Sequence, residues 1–200
     1  MSSLPPALSP CLRRPSAGAL LLALWAALPL PAAAAASPEP PDIAVDVQRD
    51  GEAIVVDVNL VVQAAPREAW DVLTDYDHMA RFVSSVTRSE VLSWSNESLL
   101  VAQTSRYRVG FLALEFHSVR EIELIPLREI RSRLVGGDMK ASTFTTRLMT
   151  EDGATRIVNH ARFIPDRWIP PVIGIAMLKT ETRKQFSDLR AEILRRKARE

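Results

Sequence analysis

The stretch that decides the fold is VIGIAMLKTETRKQFSDLRAEILRR, residues 172–196, near the end of a 200-residue chain. It contains no proline, and its one glycine lies near the start. One face recurs at spacings of three and four residues, the period of an α-helix: Ile175, Leu178, Thr182, Phe186, Leu189 and Ile193. The spacing predicts one amphipathic helix about 35 Å long.

The sequence before this helix alternates apolar and polar residues, as strands with one buried face do. It predicts two strands joined by an Asp-Gly turn at 49–52, a short helix beginning at Pro66, and another over 78–83. Further strands are predicted over 86–94, 98–109, 111–124, 128–135, 140–149 and 155–163. Turn residues separate these strands, with one turn at Gly136-Gly137-Asp138, and leave no room for crossover helices. We therefore predict an α+β fold in which a curved antiparallel sheet wraps around the long C-terminal helix.

Residues 1–36 have the pattern of a cleavable secretory signal peptide. Arg13 and Arg14 precede an apolar run over 18–30, and an alanine tract ends at Ala36. A positive region, an apolar run too short to span a bilayer comfortably and small residues at the cleavage site are the parts of such a signal. We expect cleavage after Ala36 and a periplasmic or secreted mature protein. An uncleaved membrane anchor is the alternative.

The expected mature protein is a flexible lead-in, residues 37–41, followed by one domain over 42–200. Removal of Arg13 and Arg14 leaves 23 of the 25 basic residues against 24 acidic residues. This near-neutral charge argues against nucleic acid as a partner. Cys11, the one cysteine, lies in the removed segment, so no disulfide or thiolate is expected in the mature chain.

Basic residues gather at the end of the last helix: Arg190, Arg195, Arg196, Lys197 and Arg199. Cations at this position are stabilised by the helix dipole, which is one explanation for them. Attraction to anionic lipid head groups is the other, and it would give a transient contact with a membrane surface.

The sequence lacks a recognisable catalytic or metal-binding constellation. His78, His117 and His160 have no second ligand at metal-binding spacing on a shared face. No phosphate-binding glycine loop or nucleophile elbow occurs. His117 and His160 fall on the solvent side of their predicted strands, whereas His78, between the short helices, is the histidine to test as an acid or base. We expect no catalytic residues, cofactor or metal.

Five segments of the chain carry a family resemblance: APREAWDVLTDY at 65–76, FVSSV at 82–86, RSRLVGGD at 131–138, GATRI at 153–157 and WIPP at 168–171. In this order they resemble the START-like superfamily of polyketide cyclases and lipid-transfer proteins, and within it the coenzyme Q-binding group. The resemblance covers about residues 42–197. It implies the helix-grip fold, with a hydrophobic cavity between the sheet and the C-terminal helix. It does not imply one activity, because fold and function are loosely coupled.

The inward face of the sheet is where ligand contacts are expected. Period-two alternation places two polar residues, Arg120 and Asn159, in otherwise apolar rows. Because burial of an unpaired charge is costly, either Arg120 meets a polar group of an apolar ligand or a bulge turns it outward. Asn159 either meets the ligand or bonds the backbone. The candidate ligand-binding residues are Tyr107, Phe116, Arg120, Phe144, Asn159, Phe163 and Trp168.

These observations favour an exported binding protein for a hydrophobic small molecule, such as a lipid or a quinone-like isoprenoid, held in the cavity. Two alternatives use the same fold. One is a polyketide cyclase/dehydrase-like enzyme, since such chemistry needs little more than a cavity, an arginine and a tyrosine. The other is a protein-interaction adaptor whose cavity has collapsed.

Overall fold

The computed structural model describes residues 43–95, 98–109, 112–166 and 171–199. The predicted signal peptide, the lead-in and Trp168 lie outside this part of the chain. Within it, no helix has the length and apolar character that crossing a membrane requires.

The described residues form eight strands and a long final helix in the predicted order. The strands are β1 (Ile43–Asp50), β2 (Ala53–Val62), β3 (Val86–Trp94), β4 (Ser98–Val109), β5 (Leu112–Ile125), β6 (Glu129–Gly137), β7 (Met139–Glu151) and β8 (Ala154–Pro165). The helices are α1 (Pro66–Leu73), a 3-10 turn (Tyr76–His78), α2 (Met79–Phe82) and α3 (Pro171–Lys197). The strands form one sheet in the order β1-β2-β8-β7-β6-β5-β4-β3, and each pair of neighbours is antiparallel. The predicted helix-grip fold is confirmed.

A β-bulge interrupts the pairing of β5 with β6. Val119 pairs with Gly136, whereas the next residue, Arg120, pairs with Leu134. Val135 is therefore an extra residue in β6, and it is exposed. A bulge of this kind bends its own strand and leaves the partner strand regular.

The turn predicted at Gly136-Gly137-Asp138 is wrong for its two glycines, because both belong to β6. Gly137 has a φ of +122° and passes close to β5: an added Cβ would lie 2.2 Å from the carbonyl oxygen of His117. Glycine is required there by both the space and the backbone conformation. Asp138 closes the corner, since its carboxylate accepts the His117 N–H at 2.7 Å.

The burial of α3 is graded along its length. The apolar stripe is buried in the C-terminal half, at Phe186, Leu189 and Ile193. Ile175 and Leu178 in the N-terminal half are only half-buried. The helix packs mainly against β1 and α1. The predicted stripe is thus present, but only its C-terminal half is sealed.

Hydrogen bonds and ion pairs from α3 to other described elements all come from Arg183 onward. Asp188 accepts both the N–H (2.9 Å) and the hydroxyl (2.5 Å) of Ser84, in the loop after α2, and Lys184 contacts the same hydroxyl. These bonds hold the middle of α3 against the α2–β3 connection.

The basic end of α3 is largely engaged within the domain. Arg196 pairs with Asp75 at 2.6 Å and with Glu192 at 2.7 Å. Hydrogen bonds from Arg195 lower the pKa of Glu192 to about 2. Burial opposes this shift, and hydrogen bonds from Arg196 add to it. Lys197 donates to the backbone carbonyl of Gln63 at 2.7 Å. This end of the helix therefore anchors it to the domain.

Candidate functional site

The inner face of the sheet is sealed on one side and partly open on the other. On β2, and on β8 as far as Ala161, the inward side chains are almost inaccessible, with Val58 and Ile157 at 2% and 1% exposure. On β5, β6 and β7 several inward apolar side chains are only half-buried: Phe116, Leu124, Leu134 and Phe144. Apolar side chains that face the domain interior without being sealed border a space instead of a packed core. From this graded burial we infer a space between α3 and the inner faces of β4–β7, which we call the inner cavity; it is the candidate binding site.

Arg120 projects into the inner cavity. A bulge that would turn Arg120 outward was one of the two alternatives; the observed bulge lies in β6 and leaves Arg120 in the inward row of β5. Its guanidinium lies 4.1 Å from the ring centroid of Phe144. It reaches the hydroxyls of Ser132 and Ser142 at 3.5 and 3.4 Å. Among the described residues, no carboxylate forms an ion pair with it.

The environment of Arg120 leaves a positive charge with unused donors. Burial lowers the pKa of Arg120 to about 10, and the hydroxyls of Tyr107 and Tyr76 act in the opposite direction. The guanidinium is therefore charged at neutral pH. The guanidinium has five N–H donors, and its contacts with the Ser132 and Ser142 hydroxyls are at the long limit of hydrogen bonding. The site can accommodate a carboxylate, carbonyl or phosphate oxygen.

Two tyrosines, Tyr107 and Tyr76, lie near enough to the guanidinium to influence its ionisation. Tyr107 on β4 packs on Phe116 of β5, with ring centroids 5.8 Å apart and planes inclined by 59°. Burial raises the pKa of Tyr107 and also that of Tyr76, at the start of the 3-10 turn after α1. Both rings therefore carry neutral hydroxyls, which can donate or accept a hydrogen bond.

Asn159 and Phe163 lie on β8, at the edge of the group formed around Arg120. Asn159 is buried, and its side-chain N–H donates to the Thr146 hydroxyl at 2.8 Å. The alternative, a bond from this side chain to the backbone, is not present among the described residues. Phe163 is half-buried and pairs across the sheet with Ser142, which Arg120 contacts. The structure thus brings Tyr107, Phe116, Arg120 and Phe144 together and Phe163 beside them, with Asn159 further along the strand.

Three polar residues near Arg120 were not among the sequence candidates. Ser132 and Ser142 occupy inward positions of β6 and β7, where the same period-two count that selected Arg120 would have placed them. Tyr76 lies in the 3-10 turn that packs against β3, and only the tertiary fold brings it near Arg120. No local pattern reports that contact.

The histidines lie outside the inner cavity. His117 and His160 are exposed, and His160 bonds Asp57 at 2.7 Å. The Nδ1 of His78 bonds Asp75 at 2.7 Å, within the ion-pair group that holds the end of α3. In the described part of the chain, no group of three or more His, Cys, Asp or Glu residues is arranged to hold a metal ion.

A concavity of about 400 Å³ lies where the end of β5, the start of β6 and the end of β7 meet, near the β5–β6 turn. Its polar side chains are mostly paired: Glu129 receives hydrogen bonds from Arg131 at 2.5 Å and from Arg147 at 2.8 Å. Arg131 and Arg147 are well exposed. Exposed pairs of this kind contribute little to binding or stability, so this groove is a weaker candidate than the inner cavity.

Comparisons with known proteins agree with this architecture. The family model described as polyketide cyclase / dehydrase and lipid transport matches residues 62–190. No curated protein matches the chain. Many solved structures are similar in fold, and three serve as examples. The Zhui aromatase/cyclase from Streptomyces sp. R1128 is 17% identical over 72% of this chain and 95% of that one, with a TM-score of 0.61.

The other two similar structures have lipid-transfer names. A STAR-related lipid transfer protein from Xanthomonas axonopodis is 12% identical, covering 78% of this chain and 96% of that chain, with a TM-score of 0.65. Human StAR-related lipid transfer protein 5 is 10% identical, covering 78% and 84%, with a TM-score of 0.62. At these identities the likeness concerns the fold alone.

Proposed function

Because the chain belongs to the polyketide cyclase/dehydrase and lipid transport family, we propose that it binds a hydrophobic small molecule in the inner cavity. The ligand we propose is a lipid or a quinone-like isoprenoid. Its polar group lies against Arg120, and its apolar body lies along Phe144 and the other half-buried side chains of β5–β7. Such a site has the usual composition of a small-molecule pocket, which is mostly apolar with a few placed polar groups.

One observation supports this proposal above the others: a charged guanidinium faces a partly open apolar space without a carboxylate partner among the described residues. A buried charge of this kind is costly unless something offsets it. A ligand oxygen would do so. The same observation counts against an adaptor with a collapsed cavity, because a collapsed core would seal the inward side chains of β5–β7.

A cyclase or dehydrase activity is the second candidate. The observation that favours it is the position of two neutral tyrosine hydroxyls, Tyr76 and Tyr107, close enough to Arg120 to influence its ionisation. A guanidinium can stabilise a developing enolate, and a tyrosine hydroxyl can supply a proton to it.

Native mass spectrometry of protein recovered from its own host tests both candidates. We expect the domain to carry one lipid-sized molecule, released intact by organic extraction. A bound molecule that is converted to a second mass on incubation would instead establish the enzyme. Protein that is free of ligand, and stays so when offered a host lipid extract, would contradict the proposed function.

Export is part of the proposal. The positive region, apolar run and alanine tract before Ser37 support removal of residues 1–36 and a periplasmic or secreted location. N-terminal sequencing of protein from the periplasmic or culture fraction should therefore begin near Ser37. Intact protein beginning at Met1 and confined to the cytosol would contradict it.

A transient membrane contact through the end of α3 also belongs to the proposal. Arg195, Lys197 and Arg199 are exposed there, although Arg195 also pairs with Glu192. Each cation near an anionic surface contributes about 1 kcal/mol to attraction, and salt screens this attraction.

A further inference from the structure

Asn159, bonded to Thr146 of β7, is a second polar position at the edge of the inner cavity. The residue is 7% exposed, and its side-chain N–H bonds the Thr146 hydroxyl at 2.8 Å. The carbonyl oxygen of the same amide has no hydrogen-bond partner among the described residues. It is not among the fully buried side-chain atoms without a partner, of which the described chain has one, the Ser85 hydroxyl oxygen. One end of the amide is therefore bonded, and the other has no partner among the described residues.

The two polar positions are spaced along a single strand. Ser142, which accepts from Arg120, and Thr146, which accepts from Asn159, both lie on β7. They are four residues apart on the same face, which corresponds to about 13 Å. Phe144 lies between them, half-buried, with its ring against the guanidinium. This wall of the cavity is therefore polar at both ends and apolar in the middle.

We propose that the ligand carries two polar groups joined by an apolar body. One group is an acceptor, such as a carboxylate, at Arg120, and the other is a hydroxyl at Asn159, about 13 Å away. A hydroxyl suits either orientation of the amide because it both donates and accepts. A ligand with an apolar far end would leave the free end of the amide unpaired, which costs affinity. The inference deepens the proposed function and rests on it.

Titration calorimetry of the full chain with two matched probes tests the inference. Decanoic acid has one polar end, and 10-hydroxydecanoic acid has the same carboxylate with a hydroxyl at the far end. We expect the wild type to bind the hydroxy acid about five- to tenfold more tightly, the effect of one hydrogen bond. In Asn159→Leu this preference should vanish through weaker binding of the hydroxy acid alone. Arg120→Met should weaken both acids by the same factor.

The outcomes separate the inference from the proposed function. Equal affinity of the wild type for the two acids overturns the two-headed ligand and leaves a binding protein for simple lipids. A preference that persists in Asn159→Leu overturns the role of Asn159. Binding of neither acid to the wild type counts against the proposed function and, with it, the inference. If Asn159→Leu does not fold, the comparison of the two acids on the wild type still decides whether the site prefers a ligand with a second polar group.

Discussion

The Leu189→Asp variant is expected to be unfolded or molten. Leu189 lies in the sealed half of the α3 stripe, 6% exposed, between Phe186 and Ile193. The substitution forfeits about 1.5–3 kcal/mol of leucine burial and places a carboxylate in an apolar contact, which costs several kcal/mol more. A domain of this size has a total stability of about 5–15 kcal/mol, so the loss is decisive. Near-ultraviolet circular dichroism and thermal unfolding measure it.

Leu194→Asp is the matched control for this variant. Leu194 lies on the same helix and is 40% exposed, so the same substitution there should leave the melting temperature nearly unchanged. If Leu189→Asp melts like the wild type, α3 does not cover the core as described, and the cavity loses one of its walls.

The sequence allowed the elements of this fold to be predicted because their periods are local. The stripe from Ile175 to Ile193 has a helical period, and α3 runs from Pro171 to Lys197 as expected. The alternation of apolar and polar residues predicted the positions of the strands in the same way. The inward orientation of Arg120 follows from the same count, because a strand side chain faces one side or the other according to its parity.

Contacts between residues far apart in the chain could not be predicted from the sequence. The bulge lies in β6, where Val135 is the extra residue, so Arg120 stays on the inward face of β5. No residue type in that stretch indicates whether a bulge forms in β6 or in β5. The approach of Tyr76 to Arg120 joins residues 44 positions apart. The graded burial of α3 depends on which elements lie beneath each half, and a helical period does not carry that information.

The Arg120→Met variant is expected to fold at least as well as the wild type and to bind its ligand more weakly. Methionine can fill the space of the arginine stem beside Phe144 without a charge to desolvate. Replacement of a buried charge by an apolar side chain is often neutral or stabilising. Loss of a charged hydrogen bond should cost about 1.5–3 kcal/mol of binding free energy for a ligand with a carboxylate or phosphate, or about 10- to 100-fold in affinity.

Arg133→Met is the matched control for this second variant. Arg133 precedes Leu134 on β6, projects from the outer face and pairs there with Glu121. Its side chain is 65% exposed, so its removal should change stability little. Because the outer face is separated from the inner cavity by the sheet, ligand affinity should be unchanged.

The central claim is that Arg120 meets the polar group of a hydrophobic ligand inside the domain. The most direct test measures unfolding free energy and the dissociation constant for decanoic acid on the wild type, Arg120→Met and Arg133→Met. The account predicts that Arg120→Met alone combines undiminished stability with an affinity lower by at least about tenfold. Affinity equal to that of the wild type in Arg120→Met would contradict it, because the guanidinium would then not contact the ligand.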